Sequence, residues 1–218
     1  LSHLVFPLSL TAISVQKCKN LQDLPNIHEL TLPFQQLLPM YYALRTPFLP
    51  TALTDITIEG WECTSLPNLA LLPLGDLKIV NCSFITALTL PSTVTYLELS
   101  ACKSLVKLPD LAKKAIVILK ICYCSSLKVL KLPRTVTKLV MYDCKNIGIS
   151  NSKRVPLGSL YLDSIESIRS FSIPSTLTRL EVNQCKHISS FPDITSAPLL
   201  QLHLSQCKGF KSIAIPTT

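Results

Sequence analysis

Nine cysteines and four histidines are the residues of this 218-residue sequence whose chemistry could go beyond packing. Thiolates and imidazoles ligate metals and act as nucleophiles or bases, and thiols can pair as disulfides. Their spacing argues against each role. In Cys122-Tyr123-Cys124 two thiols share one face of a strand, but zinc takes four ligands and no second Cys or His pair lies at finger spacing. His3, His28, His187 and His203 fall in separate parts of the chain, and none has a Ser, Cys or carboxylate partner at a catalytic spacing. With only 5 Gly against 16 Pro there is no glycine-rich phosphate loop either. The expectation is a non-enzyme with no catalytic residue, no metal and no cofactor.

The cysteines instead mark a register. Leu90 to Leu111, LPSTVTYLELSACKSLVKLPDL, and Ile173 to Ile194, IPSTLTRLEVNQCKHISSFPDI, are identical at 10 of 22 aligned positions. With φ an apolar residue, the frame φ-x-x-φ-x-φ-x-x-C recurs ten times, from Leu10/Ile13/Val15/Cys18 to Leu199/Leu202/Leu204/Cys207. Cys18, Cys82, Cys102, Cys124, Cys144, Cys185 and Cys207 take its last slot, while Cys63 and Cys122 lie off it. A buried column of small, weakly donating thiols is expected at that slot, with the two off-register cysteines as the reactive ones. Ladder positions offer no disulfide pairing, and so many free thiols suit a reducing compartment.

The elements follow from the periods. A φ-x-φ triplet alternates apolar and polar, the pattern of a strand with one face on a core. One such strand cannot bury its face alone and must stack on the next copy as a parallel sheet. From Ile56 onward successive strands begin 21, 20, 22, 20, 21, 20 and 22 residues apart. That leaves room for an extended or short 3₁₀ return path and little helix, and Pro91, Pro109, Pro133, Pro174 and Pro192 enforce it by fixing φ and removing a donor. The pattern matches the leucine-rich-repeat signature, a solenoid of the α/β horseshoe class with about ten repeats of 20–22 residues and a parallel sheet on its concave face. Ten strands would span about 43 Å. Residues 1–218 read as a single domain, a piece of a longer protein, with an irregular insertion at 33–50.

Recognition is the function left to such a surface. The concave positions include an acidic zone, Glu29, Asp55, Glu59 and Asp76, and then an aromatic and aliphatic zone, Tyr96, Ile118, Val140, Tyr142 and Tyr161. Glu98, Lys120, Lys138 and Arg179 rim the second zone, the composition of a protein-binding hot spot. Lys19, Lys103, Lys145, Lys186 and Lys208 follow the ladder slot and should line one lateral edge. The net charge of +8 forms no run longer than Lys113–Lys114 or Lys153–Arg154, so neither nucleic acid nor a membrane is the expected partner. The uncharged stretch from Ile79 to Leu97 carries too many Ser, Thr and Asn for a membrane helix. A protein ligand, rather than a small-molecule substrate, is expected on the concave face.

Two families share these phrases. SACKSLVKLPDL and YCSSLKVLKLP resemble the repeat region of plant intracellular nucleotide-binding leucine-rich-repeat immune receptors, whose repeats often read C-x-S-L-x-x-L-P. The alternation of 20- and 22-residue repeats around LP-x-T-V-T-x-L resembles LP-type leucine-rich-repeat effectors that bacteria inject into host cells, although those usually carry Asn where this chain has Cys. Either resemblance implies a cytoplasmic or host-cytosolic setting and repeats that bind protein. The first implies the ligand-sensing domain of an innate immune receptor in plant defense. The second implies a host-protein-binding or substrate-recognition domain.

Overall fold

The apolar pair of each φ-x-φ triplet settles one side of a strand into a core and leaves its neighbours to solvent. A computed structural model describes residues 54–60, 64, 66, 69–70, 74–169, 171–189 and 191–210. The copies before Thr54, the 33–50 insertion, Glu29, Lys19, Cys18 and Cys63 lie outside the described residues. In chain order the strands are β1 (Asp55–Glu59), β2 (Asp76–Val80), β3 (Tyr96–Ser100), β4 (Ile118–Cys122), β5 (Val129–Lys131) and β6 (Lys138–Tyr142). They continue with β7 (Asn146–Ser150), β8 (Ser159–Asp163), β9 (Ser167–Arg169), β10 (Arg179–Asn183) and β11 (Gln201–Ser205).

Eight strands form one parallel sheet in the order β1-β2-β3-β4-β6-β8-β10-β11. Every pair is in the same register, first residue opposite first, so Asp55 faces Asp76 and Arg179 faces Gln201. Second and fourth residues are buried from Ile56 and Ile58 through Leu180 and Val182, and half-buried in β11. The eight strands span about 34 Å at the usual strand spacing. The described residues form a parallel-strand β-solenoid with almost no helix. Among the described residues a single 3₁₀ turn, Ser152–Arg154, is the only helical element.

The return path is more ordered than the extended chain the sequence suggests. β5, β7 and β9 make a second parallel sheet, and Lys107 adds one bridge to Val129 at its edge. Leu130, Ile147 and Ile149 turn inward from this sheet into the same core as the large one. Strands this short bury two residues at most, and Ile168 of β9 only in part, so they hold only because their neighbours supply the other half of the ladder.

Three devices lock one turn to the next. Just before each strand, a single carbonyl accepts two consecutive amides of the following turn: Gly75 O takes Thr95 N at 2.8 Å and Tyr96 N at 3.1 Å, and Thr137 O takes Gly158 N and Ser159 N. Just after each strand of the large sheet one residue adopts the left-handed conformation, Gly60 first and then Asn81, Ala101, Tyr123, Asp143, Ser164, Gln184 and Gln206. Side chains there cost about 1–2 kcal/mol. Each of these amides except that of Gln206 donates to the last carbonyl of the next strand, as Ala101 N does to Cys122 O at 2.9 Å. Third, the P-x-T-φ-T phrase at alternate turns is a clamp. Thr93, Thr135 and Thr176 donate hydroxyls to Leu74 O, Ile116 O and Leu157 O at 2.8, 2.7 and 3.0 Å. The second threonines, Thr95, Thr137 and Thr178, donate to Gly75 O, Val117 O and Gly158 O.

The left-handed residue also aims the next side chain inward, which makes the thiol column. Cys82, Cys102, Cys124, Cys144 and Cys185 are buried, each donating to the carbonyl two residues back; Cys144 Sγ, for example, lies 3.4 Å from Tyr142 O and 3.6 Å from Ile121 O. Burial pushes the Cys144 thiol up to about 12 and the Cys185 thiol up to about 11. Two expectations need correcting. Cys122, off the register, is not accessible: it ends β4 on the outer face between Ser100 and Tyr142, is 4% exposed, and burial raises its thiol to about 11. Cys207, in the register, is only half-buried.

Replacing Thr135 by Val removes the hydroxyl and leaves the Ile116 carbonyl short of a donor, so denaturant unfolding should show a loss of about 0.5–1.5 kcal/mol. Mass-spectrometric mapping with a thiol reagent at neutral pH should find Cys207 modified first among the described cysteines. Cys82, Cys102, Cys122, Cys124, Cys144 and Cys185 should react only on unfolding, and fast native labelling of Cys144 would contradict the buried column.

Candidate functional site

In-register pairing stacks the outward residues into three columns. The first strand positions read Asp55, Asp76, Tyr96, Ile118, Lys138, Ser159, Arg179, Gln201. The third read Thr57, Lys78, Glu98, Lys120, Val140, Tyr161, Glu181, His203, and the fifth read Glu59, Val80, Ser100, Cys122, Tyr142, Asp163, Asn183, Ser205. The face therefore changes along the solenoid from acidic, through aromatic and aliphatic, to polar and basic.

A hollow of about 460 Å³ lies in the middle of this face. Tyr96, Ile118, Lys120, Lys138, Val140, Tyr142, Tyr161 and Arg179 line it, together with Ser159, Glu181 and the core residues Leu139 and Leu160. Ser159 and Glu181 stand beside Lys138 and Tyr161 in the first and third columns, positions that the strand pattern of the sequence already places on this face. Tyr142 and Tyr161 come from adjacent strands with ring centroids 5.0 Å apart and planes tilted by 39°. Contact with the Tyr161 hydroxyl, together with burial, pushes the Tyr142 phenol above its ordinary range. The Asn183 amide donates to the Tyr161 hydroxyl at 3.1 Å and fixes that ring from the next strand.

The wall toward β2 is an ordered charge network. Lys120 Nζ stands 2.8 Å from Glu98 Oε1, the Tyr96 hydroxyl donates to Glu98 Oε2 at 2.8 Å, and Lys78 lies 5.6 Å from the Tyr96 ring centre. Glu98 is the one hot-spot candidate that does not line the hollow; it holds Tyr96 and Lys120 in place. Burial opposes ionisation of Glu98, but hydrogen bonds from Lys120 and Tyr96 outweigh it and keep the carboxyl below its usual range. At the far side Arg179 Nε donates to Glu181 at 2.8 Å. Lys138 is exposed and has no ion pair among the described residues. Beyond the network Asp55 and Asp76 lie side by side, and burial and then the Asp55 charge raise the Asp76 carboxyl despite Lys78.

Other candidates fall elsewhere. His203 is exposed on β11, and His187 is exposed in the turn after Cys185. Lys103, Lys145, Lys186 and Lys208 are exposed at one register along the lateral edge. Among the described residues no group of three or more His, Cys, Asp and Glu could hold a metal ion, and no helix is long and apolar enough to cross a membrane.

No family model, curated protein or solved structure matches the chain. The chemistry of the face alone must carry its reading. It offers apolar rings and aliphatics to pack on, a cation, Lys138, with no ion pair among the described residues, and a charged network beside them.

The depressed Glu98 carboxyl sets a pH expectation. A folded value below the ordinary one near 4.5 means that its stabilisation is present above that pH and is lost as pH falls through the lower folded value. Lys120→Met should raise the Glu98 carboxyl toward its ordinary range in a carbon-detected NMR titration and shift the acid loss of stability to higher pH. An unchanged Glu98 titration in that variant would remove the network from the account.

Proposed function

We propose that the chain is a non-catalytic recognition module of the leucine-rich-repeat type that binds a protein partner across the exposed face of its large sheet. The hollow between Tyr96 and Arg179 supports this most directly. It brings Tyr142 and Tyr161 into contact beside Ile118 and Val140, and it is rimmed by Lys138 and Arg179. Aromatic and Arg anchors surrounded by ordered polar groups are what protein hot spots are made of. A face of about 34 Å is wide enough for a folded partner. The phrases SACKSLVKLPDL and YCSSLKVLKLP favour the ligand-sensing region of an intracellular immune receptor as the setting. The recurrence of the threonine clamp at every second turn favours the second reading, a host-protein-binding effector, because that period is the one the LP-type resemblance rests on.

The test is to identify a partner by affinity capture from cytosol and measure its affinity for single variants. Tyr142→Ala and Tyr161→Ala should each cost at least about 2 kcal/mol of binding. Lys103→Ala and Lys145→Ala, on the lateral edge, should change mainly salt dependence and association rate. Normal binding by both tyrosine variants with lost binding by the lysine variants would move the site to the edge and overturn the proposal.

A further inference from the structure

The cations that are dispersed in sequence are collected by the fold on the wall opposite in character to the hollow. Across the second sheet, Lys107, Val129, Gly148 and Arg169 are successive ladder partners in one row. Lys107, Val129 and Arg169 are exposed there, with Val129 57% exposed and the nearby Val106 54%. Where the chain leaves this sheet, Asn151 exchanges two 3.0 Å hydrogen bonds with the backbone of Leu132, one turn earlier. Lys131 and Arg134 flank Leu132–Pro133, and Lys153 and Arg154 follow Asn151 in the 3₁₀ turn, so this contact joins the two backbone segments that carry these four exposed cations. The Thr135 hydroxyl in turn lies 3.2 Å from the Lys114 carbonyl, one turn earlier; Lys113 there is exposed, while the half-buried Lys114 donates its Nζ to Leu90 O at 2.6 Å and is not a free cation of this wall. Asp110, 3.7 Å from Lys131, is an acid among these cations, but both side chains are more than half exposed, and such a pair neutralises little. Glu166, just before β9, is another.

We propose that this basic wall is a docking surface for an anionic phospholipid bilayer. Charge complementarity is the first ground: cations from at least three consecutive turns stand on one side with little acid among them, and each Lys or Arg near such a surface adds about 1 kcal/mol, or about fivefold in partition. The exposed valines are the second. Aliphatic side chains standing among cations pack against the headgroup and acyl boundary, whereas a sugar-phosphate backbone gives them nothing to bury. The third is what the row lacks. Lys107, Val129, Gly148 and Arg169 include no aromatic ring for bases to stack on, which separates this wall from single-strand nucleic-acid surfaces. The hollow and the wall use different residues, so a protein partner and a bilayer could be held together. The assignment does not depend on the protein-recognition reading.

Sedimentation of the full chain with phosphatidylcholine vesicles, with and without phosphatidylserine, tests this, alongside fluorescence anisotropy with duplex DNA. Binding should require phosphatidylserine and weaken as salt is raised. The variant Lys131→Gln/Arg134→Gln/Lys153→Gln/Arg154→Gln should lose at least about a hundredfold in vesicle partition, and the lateral-edge variant Lys103→Gln/Lys145→Gln should stay within about twofold. All these side chains are exposed, and a second variant, Val129→Asp, should weaken vesicle binding without needing the cations changed. The proposal is overturned by no phosphatidylserine-dependent binding at low salt, by equal losses in the two lysine and arginine variants, or by tight duplex DNA binding with Val129→Asp leaving vesicle binding unchanged.

Discussion

In-register parallel stacking is the constraint on which everything else here depends. A strand of five residues with two apolar side chains buries too little to persist alone. It persists because the carbonyl before it and the left-handed amide after it are both satisfied by the next turn. Registering first residue on first residue at every step keeps the apolar pairs above one another and forces the outward residues into columns. The surface is thus a direct print of the repeat: what a strand carries at its first, third and fifth positions is what a partner meets.

The two walls print different chemistry. On the large sheet Lys120 is paired with Glu98 and Arg179 with Glu181 beside the tyrosine pair. Around the small sheet the cations outnumber nearby acids, and Lys107, Arg134, Lys153 and Arg154 are exposed with no ion pair among the described residues. Ordered groups suit specific contact with one shape, while loosely held cations suit a surface that has charge but no fixed geometry.

Much of the large sheet was legible from the φ-x-φ pairs, because Leu97 and Leu99 or Leu160 and Leu162 leave no other face to bury. The second sheet was not, since β5 shows one inward residue, Leu130, and β9 only Ile168, too few to establish a period of two. Tyr142 and Tyr161 could be placed on one face from their positions, but their 5.0 Å contact depends on a register no local pattern states. Cys122 was misjudged because distance from the ladder slot was taken for exposure, when its neighbours Ser100 and Tyr142 cover it from either side. The basic wall escaped for a related reason: Lys113 and Lys153–Arg154 are forty residues apart in sequence and two turns apart in space.

The left-handed residues at the strand ends bear on how the solenoid comes apart. Asn, Ala, Tyr, Asp, Ser and Gln occupy positions where glycine would be free of penalty, so every turn after that of Gly60 carries an intrinsic cost, which all but the Gln206 turn recover through a neighbour. In a linear chain of coupled units that combination lowers the weight of any single folded turn and raises the weight of the junction between two. Junction-dominated arrays nucleate reluctantly and then propagate far. The described turns should behave as one cooperative block, so that a weakness introduced at any one of them is felt along the whole length of both walls.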